Sequence, residues 1–125
     1  MKKFYKMSDS EMEIMKIAWE SDDPITVAQL LHTFEDRKWK AQTIATFLTR
    51  LAEKGLIDIN KQARTNLYTP IITEKEYYQL EAQNLLSSMY DGSLQNFLSA
   101  LHGGDEIHAD EIAELIEWFE KVKND

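Results

Sequence analysis

The spacing of apolar residues changes at Lys54-Gly55, and that change limits the folds the chain can adopt. Before it, the first of three segments has one broad apolar face, and the other two carry apolar residues at the i, i+3, i+4 and i+7 spacing of an amphipathic helix. After it, residues 56–60 and 67–71 are rich in Ile, Leu, Tyr and Thr, which favour strands. The polar segment 61–66 between them is long enough for a hairpin turn. The sequence therefore predicts three helices followed by a two-stranded antiparallel hairpin.

Caps and helix breakers set the bounds of the three helices. Ser8 or Ser10 can cap the first helix, and Pro24 disfavours helical geometry in the residue before it. Thr26 and Gln29 have capping-box spacing. The predicted bounds are Ser8 to about Glu20, Thr26 to about Asp36, and a third helix over Ile44, Phe47, Leu48 and Leu51 that ends at Gly55.

The remainder of the chain reads as helical. A second capping box, Thr73-Glu74-Lys75-Glu76, opens a long helix that ends at Asp91-Gly92. Two further helices run from Ser93 to about Leu101 and from Asp110 to Lys123. We predict a mainly α protein: a winged helix-turn-helix domain over residues 1–72 and a helical dimerisation domain over residues 73–125.

Charge is divided unevenly along the chain. Residues 1–70 hold eleven Lys and Arg against ten Asp and Glu, whereas residues 71–125 hold three against twelve. Within the first part, residues 37–64 hold seven basic and two acidic residues, a net charge of +5. Such a basic island can attract phosphate, and the acidic second half would be repelled by it. A solvated surface of mixed charge is the alternative.

Three helices and a hairpin with a cationic tip follow one another in the order of a winged helix, whose third helix enters the major groove. With its apolar stripe turned inward, the third helix presents short polar groups outward. Gln can read adenine, Thr can bond a base edge or contact a thymine methyl, and cations hold phosphates. For the threonines, ordinary helix surface is the alternative. The predicted base-reading residues are Gln42, Thr43 and Thr46, and the predicted phosphate-binding residues are Lys40, Thr49, Arg50, Lys54, Lys61 and Arg64.

The helical second half carries more apolar surface than three helices without a sheet can bury among themselves, which favours association of two copies. A second winged helix on the next turn of the duplex would also double the phosphate contacts. The alternative is a self-contained three-helix cap. The predicted dimer-interface residues are Leu85, Met89, Phe97, Leu101, Ile112, Leu115, Ile116 and Phe119.

Catalysis, cofactors and metals find no support in the sequence. There is no cysteine, no Gly-rich phosphate loop, no nucleophile elbow and no His-Glu-x-x-His. The segment His102-Gly103-Gly104-Asp105-Glu106-Ile107-His108 clusters imidazoles with carboxylates, but its spacing is not that of known metal ligands. We therefore expect no enzyme activity, no cofactor and no metal. Without an export signal or a long apolar run, we expect a cytoplasmic protein with no membrane insertion.

Several segments resemble one family of bacterial regulators. Trp39-Lys40-Ala41-Gln42-Thr43-Ile44, Leu48-Thr49-Arg50-Leu51, Lys54-Gly55-Leu56-Ile57 and Tyr68-Thr69-Pro70 are similar to the penicillinase repressor (BlaI/MecI/CopY) family. The resemblance implies a winged-helix domain, a helical dimerisation domain, and repression at inverted-repeat operators in double-stranded DNA. The cysteine cluster of the copper-sensing members is absent.

In the antibiotic-responsive members of that family a sensor protease triggers cleavage at an Asn-Phe bond in the short helix. Asn96-Phe97 reproduces that dipeptide, whereas matching Asp110-Glu111-Ile112 to the family places the bond nearer residues 99–101. The resemblance thus implies Asn96-Phe97 as a candidate cleavage site, and an ordinary amphipathic helix is the alternative. Two functions remain: a homodimeric DNA-binding repressor, and a winged-helix module that binds protein without specific DNA binding.

Overall fold

The computed structural model describes residues 4–104 and 107–125. The chain forms two compact units, residues 1–81 and 82–125. Its elements are α1 (Asp9–Glu20), α2 (Val27–Thr33), a 3-10 turn (Glu35–Arg37), α3 (Ala41–Glu53), β1 (Ile57–Gln62), β2 (Thr65–Pro70), α4 (Glu74–Tyr90), α5 (Leu94–Gly103) and α6 (Ala109–Asn124). The predicted fold class, a winged helix-turn-helix followed by a helical region, is confirmed.

The first helix begins with a complete capping box. Ser8 is the N-cap, and its hydroxyl accepts from the backbone N–H of Glu11 while the Glu11 carboxylate accepts from the N–H of Ser8. Ser8 rather than Ser10 is therefore the cap; Ser10 also has an acid three residues later, Glu13, but that carboxylate accepts from Arg37 instead. The inward face of α1 buries Ile14, Met15 and Ala18.

The second helix is shorter than predicted. It ends at Thr33 instead of continuing to about Asp36, because the chain tightens into the 3-10 turn with a bond from the N–H of Arg37 to the carbonyl of Phe34. The Phe34 and Trp39 rings then pack at 5.1 Å between centroids, and Trp39 meets Phe47 of α3 at 5.3 Å. This aromatic stack fixes the connection between α2 and α3.

The third helix has the predicted inward face, with Ile44, Leu48 and Leu51 fully buried. Lys54 is its C-cap, and Gly55 follows with φ +75°, the left-handed geometry that glycine adopts without a steric penalty.

The hairpin is longer than predicted and its turn is shorter. Lys61 pairs with Asn66 and Gln62 with Thr65, so the turn is the pair Ala63-Arg64 and not the six residues 61–66. Polarity was misleading here because most side chains at the tip of this two-stranded hairpin are exposed, whether they belong to strand or turn. At the other end, Ile25 forms a bridge to Tyr68 that ties the start of α2 to β2.

The core of the first unit includes the start of α4. Tyr77, one turn into that helix, is fully buried and packs against Phe4 and Trp19. The indole N–H of Trp19 also donates to the carbonyl of Ile72 at 2.9 Å. These contacts explain why the first compact unit runs to Glu81 and not to residue 72.

The second unit buries little within a single chain. None of the described residues of α5 and α6 is fully buried. Trp118 is 54% exposed and Ile116 is 60% exposed. Within the described ranges 4–104 and 107–125, no helix is both long and apolar enough to cross a membrane.

Candidate nucleic-acid interface

The outward face of α3 carries the three predicted base-reading residues and two of the predicted phosphate-binding residues. Gln42, Thr49 and Arg50 are exposed, and Thr43 and Thr46 are partly exposed. The Gln42 amide makes no side-chain hydrogen bond to any described residue. It can therefore offer its donor and acceptor pair outward, the arrangement that reads an adenine edge.

Two threonines of α3 donate their hydroxyl protons to backbone carbonyls of the same helix. The Thr46 hydroxyl donates to the Gln42 carbonyl and the Thr49 hydroxyl to the Ala45 carbonyl, each at 2.9 Å. Each oxygen keeps lone pairs, so it can still accept a hydrogen bond from an external donor. A partner of Thr46 would therefore be a base amino group or a thymine methyl, and Thr49 in this rotamer cannot donate to a phosphate.

Five cations of the basic island are exposed and have no ion-pair partner among the described residues. One of them, Lys38, follows the 3-10 turn, and the other four are predicted phosphate contacts, two at α3 and two on the hairpin. Lys40 is the N-cap of α3, Arg50 lies in its last turn, Lys61 is on β1, and Arg64 is in the two-residue turn. Unpaired exposed cations on a helix and its neighbouring hairpin are suited to bind phosphate.

Lys54 differs from these four, because its ammonium is already bonded inside the fold. Nζ donates to Oε1 of Glu11 at 2.6 Å and to the carbonyl of Lys6 at 2.9 Å. Glu11 is only 1% exposed, and its Oε2 has no hydrogen-bond partner among the described residues. Burial opposes ionisation of Glu11, but the bonds from Lys54 and Ser8 outweigh it and lower the pKa of the carboxyl. An ammonium held in this way is not free to bind phosphate, so Lys54 is not among the proposed phosphate contacts.

Arg37 is also paired. Its guanidinium donates to both carboxylate oxygens of Glu13, and the cation lies 5.5 Å from the centroid of the Trp39 ring. The hydrogen bond from Arg37 is the main reason that the pKa of Glu13 is lowered. Sequence reasoning missed both ion pairs. Counting charges treats every basic residue as free to bind phosphate, so neither pair was predicted. The acid at the capping-box position, Glu11, was the one sequence feature that pointed to a pair.

An apolar groove of about 560 Å³ lies in the second unit between α5 and α6. Its lining includes four predicted dimer residues, Ile112, Leu115, Ile116 and Phe119. Leu94, Leu98 and Ile107 also line it, and the predicted set had omitted them. The other predicted residues lie outside this lining: Leu85 and Met89 are exposed on α4, and Phe97 and Leu101 are half-buried on α5.

Both histidines of the segment 102–108 lie at the end of a helix. His102 lies in the last turn of α5 and lines the apolar groove, and His108 is the N-cap of α6, while Asp105 and Glu106 fall outside the described residues. No group of three or more His, Cys, Asp or Glu within the described ranges is placed to hold a metal ion. At the candidate cleavage site, Asn96 is exposed in the first turn of α5, and the Phe97 ring meets Tyr90 at 5.4 Å.

Three helices, a hairpin and an exposed polar face on the third helix define a winged helix-turn-helix module. The sequence profile of the penicillinase repressor family matches residues 7–121. The chain therefore belongs to the penicillinase repressor family, a family of transcriptional repressors and not of enzymes.

Individual relatives agree with this assignment. The chain is 32% identical to the penicillinase repressor of Bacillus licheniformis over 124 residues, covering 99% of this chain and 97% of that protein. It is 27% identical to the methicillin resistance regulatory protein MecI of Mammaliicoccus sciuri over 113 residues, covering 90% and 92% of the two chains. The solution structure of the DNA binding domain of the repressor BlaI matches with a TM-score of 0.52 and 36% identity, covering 62% of this chain and 94% of that one.

Proposed function

We propose that this protein is a homodimeric, sequence-specific DNA-binding repressor that acts on inverted-repeat operators in the bacterial cytoplasm. The proposal rests on the combination of two features in a member of a repressor family. The helix α3 has an exposed polar face, and four cations on α3 and the hairpin have no ion-pair partner in the part of the chain that the structure describes. The similarity to a structure described as the DNA binding domain of BlaI supports it.

In this proposal α3 enters the major groove as the recognition helix. Gln42, Thr43 and Thr46 contact base edges, with Thr46 restricted to accepting a hydrogen bond or touching a methyl group, because its hydroxyl proton is already donated. Lys40, Arg50, Lys61 and Arg64 hold phosphates on either side and fix the register of the helix on the duplex. Thr49 can contribute only by packing or by accepting a hydrogen bond through water.

Dimerisation is supported by the exposure of the second unit. The groove between α5 and α6 is apolar, and Ile116 at its edge is 60% exposed. A soluble chain rarely leaves such a surface open, and a second copy covering it would remove the apolar area from water. A dimer also brings two winged helices to one site, as an inverted repeat requires.

Salt dependence is the first test. Four cations on each of two winged helices predict that log K falls with log salt at a slope of about −7. We would measure binding by fluorescence anisotropy on a duplex selected from a random-sequence pool. Arg64→Ala should weaken every duplex alike and reduce that slope by about 2, whereas Gln42→Ala should relax preference at particular bases. Lys75→Ala, an exposed change on α4, is the control and should alter neither.

The same measurements decide against the proposal if they come out differently. A flat salt response, or equal losses for all sequences in both Arg64→Ala and Gln42→Ala, would favour the alternative, a winged-helix module that binds protein.

We also propose that a sensor protease relieves repression by triggering cleavage between Asn96 and Phe97. Asn96 is exposed, and its N–H donates to the Ser93 cap at 3.1 Å, so the bond lies in a first turn that must unwind to enter a protease. Mass spectrometry of the chain from induced cells would identify the fragment ends. A cut at residues 99–101, or an Asn96→Ala variant that is still cut and induced normally, would contradict this site.

A further inference from the structure

The backbone of residues 6 and 7 is bonded to the ends of two different helices. We propose that residues 4–7, which we call the amino-terminal strap, are a positioning element that couples the recognition helix α3 to α4. The proposal rests on the DNA-binding function proposed above and goes beyond it, because the strap contains none of the proposed DNA contacts.

On the α3 side the strap is held by Lys54, the C-cap of that helix. The Lys54 ammonium donates to the carbonyl of Lys6 at 2.9 Å and to Oε1 of Glu11 at 2.6 Å. The same Oε1 accepts from the N–H of Ser8 at 2.7 Å, next to the strap. Because Oε2 of Glu11 has no partner among the described residues, Oε1 alone holds this buried carboxylate in place.

On the α4 side the strap is held by Tyr77. The N–H of Met7 donates to the Tyr77 hydroxyl at 2.8 Å, and both residues are buried. The Phe4 ring packs on the Tyr77 ring at 5.6 Å between centroids. An ion pair between exposed Lys6 and half-buried Glu81, at 3.9 Å, adds a second contact one turn further along the helix.

These two sets of contacts meet on consecutive residues, whose Cα atoms are about 3.8 Å apart. A shift of the end of α3 is therefore passed to the first turn of α4 through one peptide unit. Tyr77 lies in the first turn of α4, which continues without a break to Tyr90. In a dimer on an inverted repeat, the strap would limit how far each recognition helix can shift against the start of α4, and so which half-site separations two copies can reach together.

The test uses the full chain and removes one hydrogen bond on each side of the strap; the Lys54 variant also breaks the ion pair with Glu11. Tyr77→Phe removes the hydroxyl that Met7 bonds and keeps the ring, and Lys54→Met removes the ammonium and keeps most of the side-chain volume. Tyr78→Phe is the matched control, because that exposed hydroxyl bonds only Glu74 of its own helix, at 3.3 Å. The probes are three forms of the duplex that wild-type protein selects. They are the whole inverted repeat, a single half-site, and the repeat with one or two base pairs inserted between its halves.

We expect both variants to bind the half-site within about twofold of wild type, and the preference for the whole repeat over the half-site to fall about tenfold. Discrimination against the inserted base pairs should weaken in parallel, a change that loss of stability alone would not cause. A thermal melt of each variant confirms that it is folded at the assay temperature.

Equal losses on half-site and whole repeat, or unchanged spacing preference in both variants, would overturn the strap proposal while leaving DNA binding intact. Wild-type protein that selects no duplex at all would instead overturn the proposed function, and the strap proposal with it.

Discussion

The Lys54 ammonium lies 2.6 Å from the buried carboxylate of Glu11, joining the end of α3 to the first turn of α1. The two residues are 43 positions apart, and the Lys54 side chain is 24% exposed while that of Glu11 is 1% exposed. A buried charge is tolerated only when it is paired, so each residue depends on the other for its position. A cation of the basic island thus serves the fold of the winged helix.

Loss of the charge on Glu11 should destabilise the protein. Glu11→Gln keeps the size of the side chain but leaves Lys54 without its counterion, and we expect the free energy of unfolding to fall by about 3 kcal/mol in urea titrations near neutral pH. Glu20→Gln, on an exposed site of the same helix, is the control and should change stability by less than about 0.5 kcal/mol. Similar stability of Glu11→Gln and wild type would show that the pair contributes little.

The same carboxylate predicts a pH dependence. Burial disfavours the charged form of Glu11, but its hydrogen bonds win and lower the pKa from its ordinary value of 4.5. A lowered pKa in the folded state means that the stabilisation is complete above the unfolded pKa and is lost as pH falls through the folded one. The stability difference between wild type and Glu11→Gln should therefore be constant above about pH 5.5 and shrink below about pH 4.5. A difference that does not shrink in acid would contradict the lowered pKa.

The hairpin tip offers a stabilising substitution. Ala63 has φ +54°, a left-handed conformation that costs a residue with a Cβ roughly 1–2 kcal/mol. Ala63→Gly removes that cost and should raise the free energy of unfolding by about 0.5–1 kcal/mol after the greater freedom of glycine in the unfolded chain is counted. Ala82→Gly, in the exposed interior of α4, should change stability by a similar amount in the opposite direction. If both substitutions raised the melting temperature, or both lowered it, the strained turn would be contradicted.

Local signals were sufficient to predict the elements of this fold. The apolar stripe of α3 places Ile44, Leu48 and Leu51 in the core, which leaves Gln42 and Arg50 exposed, and capping residues predict where α1, α4 and α5 begin. The end of α2 and the two-residue turn were missed because they depend on how neighbouring segments pack and pair. The ion pairs were missed because they depend on tertiary contacts. Lys54 is bonded to Glu11 and Arg50 has no ion-pair partner among the described residues, but no local sequence pattern distinguishes the two.

The open groove of the second unit predicts how the dimer can be broken. Ile116 lines that groove and is 60% exposed in the single chain, so Ile116→Glu should cost the isolated fold little. In a dimer that covers the groove, the same change would bury an unpaired carboxylate, and we expect the dissociation constant to rise at least about a hundredfold in sedimentation velocity. Lys121→Gln, exposed on the same helix and with the same change of net charge, should leave association unchanged. If Ile116→Glu dimerises with the same dissociation constant as wild type, the two copies meet elsewhere. If Ile116→Glu is a monomer that still binds a half-site, the dimer contact lies at this groove and is separate from the DNA contacts.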